Sequence, residues 1–154
     1  TDKFHARFSA TYRKYIYKTT FVKNPFDEDG VLFLYQTPDI ALMNQACKVL
    51  LAHTDFASFC KRTADNKTTI CDLMEAEWKM EQGNLVFHVK ANRFLRNMVR
   101  ALVGTLLEIG NGKTRIEDLE AILKSGERSK SGKSVAAKGL YLADIGYNWD
   151  EYRK

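Results

Sequence analysis

Cysteine, proline and histidine are scarce in this chain of 154 residues, numbering three, two and three. The cysteines Cys47, Cys60 and Cys71 are odd in number and form no C-x-x-C pair, which argues against a disulfide framework and fits a reducing compartment. With His5, His53 and His88 they supply none of the close ligand pairs of a structural zinc site. No metal is therefore expected, and the thiols read as small buried apolar side chains. No apolar run approaches the ~20 residues needed to span a bilayer, and Thr1 to Phe8 lacks the charged-then-apolar pattern of a secretory leader. The expectation is a cytoplasmic protein without a membrane partner. Hydrolase and nucleotide signatures are missing as well. No G-x-S-x-G occurs. Gly126 to Ser134 (GERSKSGKS) has one residue too many for a P-loop, and Gly112-Lys113-Thr114 lacks its first glycine because position 107 is leucine.

What is present is an ordinary globular balance, 45% hydrophobic and 28% charged, at a length that fits one domain with its own core. The chain opens on Thr1 while Phe4 to Tyr17 already reads as ordered structure, so a piece of a longer protein is expected. The net charge is +5 and unevenly spread: residues 1–23 carry +5, residues 24–92 carry −4 and residues 93–154 carry +4. Two basic ends around an acidic middle point to a polyanion held by those ends, against the plainer reading of an uneven solvated surface.

Aromatic and β-branched residues from Thr11 to Thr19 predict a strand, and Asn24-Pro25 with Asp27 to Gly30 predict turns. Pro38 marks a helix start, with apolar residues from Ile40 to Leu51. Thr68 to Met80 and Leu85 to Lys90 predict an antiparallel hairpin closed at Gln82-Gly83-Asn84. Arg93 to Ile109 has helical periodicity, with Leu95, Met98, Leu102, Leu106 and Ile109 on one side and Gly110 and Gly112 at its end. Thr114 to Leu123 predicts another helix, with Glu117 completing a capping box. Ser125 to Lys138 reads as a mobile basic loop and Leu140 to Tyr147 as a final strand. The order β, α, β, β, α, α, β predicts an α+β domain, an antiparallel or mixed sheet with helices on one face.

Two segments carry candidate chemistry. On a helix from Arg93, the residues Arg93, Arg96, Asn97, Arg100 and Gly104 would form one polar stripe, able to clamp phosphates or hold a carboxylate. A glycine at 104 would admit another backbone or a ligand. The plain alternative is a solvent face. The opening Phe4-His5-Ala6-Arg7-Phe8-Ser9-Ala10, followed by Arg13, Lys14 and Tyr15, mixes rings with cations, as proteins that stack unpaired RNA bases do. Its plain alternative is an edge strand whose rings belong to the core.

Taken together, four segments resemble a known family. Phe4 to Thr11 (FHARFSAT) with Arg13 to Tyr17 (RKYIY), Asp55 to Phe59 (DFASF), Ala91 to Leu106 (ANRFLRNMVRALVGTL) and Gly139 to Leu142 (GLYL) occur in the order found in tRNA pseudouridine synthases of the TruA type. The resemblance spans Phe4 to Tyr147. It implies isomerisation of uridine to pseudouridine at three adjacent positions of the tRNA anticodon stem-loop, with no cofactor and no metal, by a homodimer with an RNA-binding cleft. The target base must leave its stack. An aspartate in a G-R-T-D-A-G-V-H type loop then starts the reaction. That loop is not found here; the nearest string, Lys61-Arg62-Thr63-Ala64-Asp65, has the wrong order and context. Residues 1–154 are therefore expected to be the C-terminal domain of such an enzyme, with the nucleophile on an N-terminal domain and no activity of their own. A non-catalytic RNA-binding or dimerisation domain of the same fold is the alternative.

By the same resemblance, Arg100 matches the arginine that pairs with the aspartate and keeps it ionised. Tyr15 matches the tyrosine that packs on the target base and assists loss of its C5 proton; a phenol, with an ordinary pKa of about 10, would owe this to placement more than to basicity. Leu140 matches the apolar residue closing the pocket over the base. His5, Arg7, Arg13, Lys14, Arg93 and Arg96 are candidates for the RNA backbone. Arg96-Asn97 stands where many members have His-His, a departure beside the pocket. The enzyme reading requires Arg100 and Tyr15 to share a pocket across 85 positions of sequence, with Leu140 nearby.

Overall fold

Strand alternation sets the architecture. The computed structural model describes residues 3–61 and 67–153. In chain order its main elements are β1 (Ala10–Thr20), β2 (Leu32–Phe33), α1 (Ile40–Leu51), β3 (Leu73–Glu81), β4 (Asn84–Ala91), α2 (Met98–Gly110), α3 (Ile116–Ser125) and β5 (Leu140–Tyr147). β1 pairs antiparallel with β4, which pairs with β3, and antiparallel with β5; β2 adds a short parallel pairing at Thr19 and Thr20. The result is the expected mixed sheet with helices packed on it, an α+β fold. Because strand side chains alternate, Tyr17 and Thr19 share a face with their register partners Phe87 and Leu85, all four fully buried beneath the helices. Lys14 falls on the opposite face, 3.3 Å from Glu75, and His88 there meets Glu81 at 2.5 Å.

The hairpin turns through Gln82 (φ 50°) and Gly83 (φ 79°), the paired positive φ values that a two-residue loop needs to match strand twist. α1 is capped by Asp39, whose carboxylate accepts from Leu42 N at 2.9 Å, with Pro38 just before the cap. On the outer edge of β3, Asn44 of α1 donates to Trp78 O (3.1 Å) and accepts from Trp78 N (2.8 Å), so a side-chain amide substitutes for a neighbouring strand. The segment Asp55–Phe59 is scaffold: Phe56 and Phe59 are fully buried and Ser58 Oγ donates to Ile122 O at 2.5 Å. All three cysteines are buried, as read. Burial pushes Cys47 up to about 12 and, as the main cause, Cys71 up to about 11.

Several expectations are corrected. α2 begins at Met98, not Arg93, because Asn97 sits in the left-handed region (φ 67°) and residues 93–95 have no regular secondary structure; Arg93, Arg96 and Arg100 therefore form no single helical stripe. The side of α2 bearing Gly104 is not a solvent face, since Met98, Val99, Ala101 to Leu107 and Ile109 are all buried. No capping box forms at α3. Arg115 is its N-cap without a side-chain bond, Thr114 Oγ1 donates to Glu108 at 3.1 Å, and Glu117 pairs with Arg115. β3 starts at Leu73 rather than Thr68, and β2 had no signature beyond two apolar residues. Past Lys61, the string running to Asp65 lies outside the described residues.

The largest correction concerns residues 125–138. In place of a mobile loop, this segment is docked along α2: Gly132 N donates to Thr105 Oγ1 (2.8 Å), Ser131 Oγ donates to Ser58 O (2.7 Å), and Arg128 donates to Ser131 Oγ, Gly132 O and Ser134 Oγ. Gly104 is what permits it, because a Cβ there would lie 1.8 Å from Lys133 O. Gly104→Ala is expected to lower the unfolding free energy by about 1–3 kcal/mol in urea denaturation, since the obstacle is backbone and has no rotamer to give. A second expectation is alkaline. Cys47, Cys71 and Tyr17 are held neutral in the fold, with Tyr17 pushed up to about 12 by burial. The stability they add is intact below their ordinary values of 9.0 to 10.0 and is lost as pH rises toward 11 and 12. Melting temperatures measured across that range should fall, and Cys71→Ala should flatten the fall.

Candidate active site

Tyr15 lies mid-strand in β1, on the face that carries Tyr17, but nearer the end where helical cover gives way to an opening. Its ring meets Phe94 edge to face, with centroids 5.2 Å apart and planes at 87°. Phe94 belongs to the irregular link between β4 and α2. That link is fixed at its start by Asn92, which accepts from Asp72 N at 2.8 Å through its side chain and bonds Asp72 O through its own N–H at 3.1 Å. At the end of the link the left-handed Asn97 donates to Ser134 Oγ and aims the first turn of α2.

Arg100 stands in the first turn of α2. Its Nε donates to Val135 O at 2.7 Å, while Val135 N donates to Arg100 O at 3.2 Å, a reciprocal pair that fixes both backbone and guanidinium. No ion pair joins Arg100 to a carboxylate among the described residues, and its two terminal amino groups make no hydrogen bond among them. The segment beyond Val135 turns through Ala137–Gly139 into β5, where Leu140 pairs with Tyr17. Gly139 allows this turn to press on β1, because a Cβ there would meet Lys18 O at 2.7 Å and the Tyr17 ring at 2.9 Å.

These elements enclose a cleft of about 650 Å³ lined by Arg7, Tyr15, Lys61, Arg93, Phe94, Leu95, Arg96, Asn97, Met98, Val99, Arg100 and Leu140. Arg100, Tyr15 and Leu140 thus line one cavity although they come from three distant stretches of sequence. Among the described residues the lining holds five cationic side chains and no carboxylate. Such a cavity favours a polyanion, or a carboxylate brought in beside Arg100, and its aromatic and aliphatic wall suits a flat ring. A groove of about 560 Å³ adjoins it, sharing Arg7, Tyr15, Arg93 and Phe94 and adding Phe8, Ala10, Arg13 and Asn92.

The remaining candidates divide. Arg7, Arg93 and Arg96 line the cleft; Arg96 is exposed, while Arg93 donates to Thr68 O at 3.2 Å. Arg13 reaches the groove, but its guanidinium is spent on the carbonyls of Ala10, Asn92 and Arg7. His5 lines neither cavity, and its Nδ1 accepts from Arg7 N and Phe8 N. Lys14 is on the far face of the sheet, paired with Glu75, as alternation with Tyr15 requires. Asn97, placed by its spacing on the polar stripe, does line the cleft; Phe94 and Lys61 line it without a signal of their own in the sequence, Phe94 because helical periodicity from Arg93 hides its exposure to a cleft.

Residues 46–148, from within α1 to just past β5, match the family model described as tRNA pseudouridine synthase. The chain is 44% identical over 146 residues to the tRNA pseudouridine synthase A of Azobacteroides pseudotrichonymphae, covering 94% of this chain and 59% of that protein. It is 46% identical over 143 residues to the namesake from Parabacteroides distasonis, covering 93% and 57%. The protein of that name from Bacillus pumilus is 34% identical over 149 residues, covering 96% and 60%. The chain therefore spans somewhat over half the length of the curated relatives it matches. With the matched span containing Arg100, Leu140 and the whole of α2, this chain belongs to the tRNA pseudouridine synthase family.

Proposed function

We propose that this chain is the C-terminal domain of an enzyme that converts uridine to pseudouridine in the anticodon stem-loop of tRNA. The observation that carries the proposal is the cleft: among the described residues it has five cations without a carboxylate, a tyrosine and a leucine on its wall, and an arginine held ready by Val135. The isomerisation breaks the bond between C1′ and N1, turns the base and joins C1′ to C5; the C5 proton leaves and N1 takes one up. An aspartate from a part of the protein outside these residues would start the reaction, and Arg100 would hold it ionised. Two Nη groups on a fixed guanidinium match a carboxylate by a fork of parallel hydrogen bonds. Tyr15 would lie against the extruded base and assist loss of the C5 proton, while Leu140 covers the base from β5. Arg7, Arg93 and Arg96 would take the flanking phosphates.

On this reading the domain is inactive alone, works in the cytoplasm and needs neither cofactor nor metal. The full protein would act as a homodimer around its RNA. Relatives longer than this chain and named for action on tRNA support the assignment.

Tritium release from C5-labelled uridine in tRNA, with the full-length protein, is the direct test. Release is expected from the parent and should vanish in Arg100→Ala, with tRNA affinity kept within about tenfold, roughly 1.4 kcal/mol. Loss of binding by several orders of magnitude would instead make Arg100 a phosphate contact. No release from a folded, tRNA-binding parent would leave only an RNA-binding domain. Tyr15→Phe should slow release by about 10²-fold or more while binding persists, the scale of a lost proton-transfer group.

A further inference from the structure

The two rings of the opening segment have opposite fates. Phe4 is packed among Tyr147, Trp149 and Tyr152, with centroids 5.2 to 5.4 Å away, and serves to fasten the segment to the end of the chain. Phe8, four residues on, is 76% exposed and lines the groove that adjoins the cleft at Tyr15. An exposed phenylalanine is unremarkable by itself, but this one stands on a turn that is bonded at nearly every position. Ser9 N donates to His5 O at 2.8 Å, and His5 N donates to Ser9 Oγ at 3.0 Å. His5 Nδ1 accepts from both Arg7 N and Phe8 N, Tyr147 OH donates to Ala6 O at 2.8 Å, and Arg13 holds Arg7 O. The His5 ring flanks Phe8 at 4.5 Å and the Arg7 guanidinium lies 5.5 Å from its centroid. An apolar ring is thus fixed in water at the mouth of a groove whose charged lining residues are Arg7, Arg13 and Arg93.

From this placement we infer that Phe8 is a stacking platform for a second, unpaired RNA base, one adjacent to the base that enters the Tyr15 cleft. Extruding a uridine from a stem-loop leaves a neighbour without its stacking partner, and an aromatic face can replace that partner at any sequence. Arg7 then takes the phosphate between the two bases, since it lines both cavities. His5 acts as a positioning residue that shapes the turn and makes no contact with RNA. The inference rests on the RNA-modifying reading above and adds a base-binding residue which that reading does not contain.

The test is binding of an unmodified tRNA transcript to the full-length protein and to Phe8→Leu, Phe8→Tyr and Arg7→Ala, over a range of salt. Phe8→Leu keeps an apolar side chain but has no π face, and is expected to weaken binding about tenfold or more, within the range for loss of one stacked base. Phe8→Tyr keeps the ring and should stay within about twofold. The slope of log affinity against log salt should be unchanged in Phe8→Leu and shallower by about 0.7 in Arg7→Ala, the share of one phosphate on a single strand. Affinity of Phe8→Leu equal to the parent would overturn the inference, and so would equal losses in Phe8→Leu and Phe8→Tyr. In either case an intact tritium release that still depends on Arg100 would leave the synthase reading standing. A folded parent that fails to bind the transcript would remove both.

Discussion

The clasp between α2 and residues 131–136 is the interaction on which the rest of this domain depends. Gly104 lets the backbone of Lys133 lie directly on the helix, Gly132 N is met by Thr105 Oγ1, and Val135 and Arg100 exchange hydrogen bonds. Next along the segment, Ala136 O accepts from the buried Tyr17 OH at 2.5 Å, which satisfies the one polar atom that ring brings into the core. Without the clasp, the side of α2 carrying Gly104 and Thr105 would lose its cover, the Arg100 guanidinium its anchor and Leu140 its approach to the cleft. One stretch of chain thus finishes the core, aims a cation and delivers the strand that closes the cavity.

The cleft carries unfavourable electrostatics. Five cations around one cavity repel each other, and no lining carboxylate among the described residues relieves them. The ion pairs among the described residues all lie outside this cleft, as with Lys14 and Glu75 on the open sheet face. A site that departs from this pattern gains most from a ligand of opposite charge, because binding relieves the repulsion while it adds contacts. The half-buried Arg100 shows the same logic at one residue, with a backbone carbonyl holding Nε and the Nη groups left for a partner.

Much of the scaffold was legible because local chemistry and tertiary demand agreed. Gln82-Gly83 supplies the positive φ values that a tight hairpin needs, and the apolar run from Ile40 to Leu51 forms α1 over the same residues. Failures came where a distant partner outbid local preference. The Arg93 to Asn97 stretch has helical periodicity, yet Lys61 N takes Arg96 O and Ser134 holds Asn97, so the helix starts later. Thr114 and Glu117 have the spacing of a capping box, but Glu108 claims the hydroxyl and Arg115 the carboxylate. The Gly/Ser/Lys composition of residues 125–138 suggested mobility; its serines and glycines are instead what allow close docking and bonds to α2.

The sequence by itself determined the family, the α+β order of elements and the basic ends, and it nominated Arg100, Tyr15 and Leu140 as candidates, because each of these is carried by residues near one another in the chain. Only the tertiary structure decided that these three meet in one cleft, that Arg13 and His5 serve the backbone while Arg7 and Arg96 face the opening, and that Phe4 is packed while Phe8 is bare. The physical reason is the same throughout. A side chain's role follows from what surrounds it, and here the surroundings come from segments up to a hundred residues and more away, as Tyr147 bonding Ala6 and Tyr17 bonding Ala136 make plain.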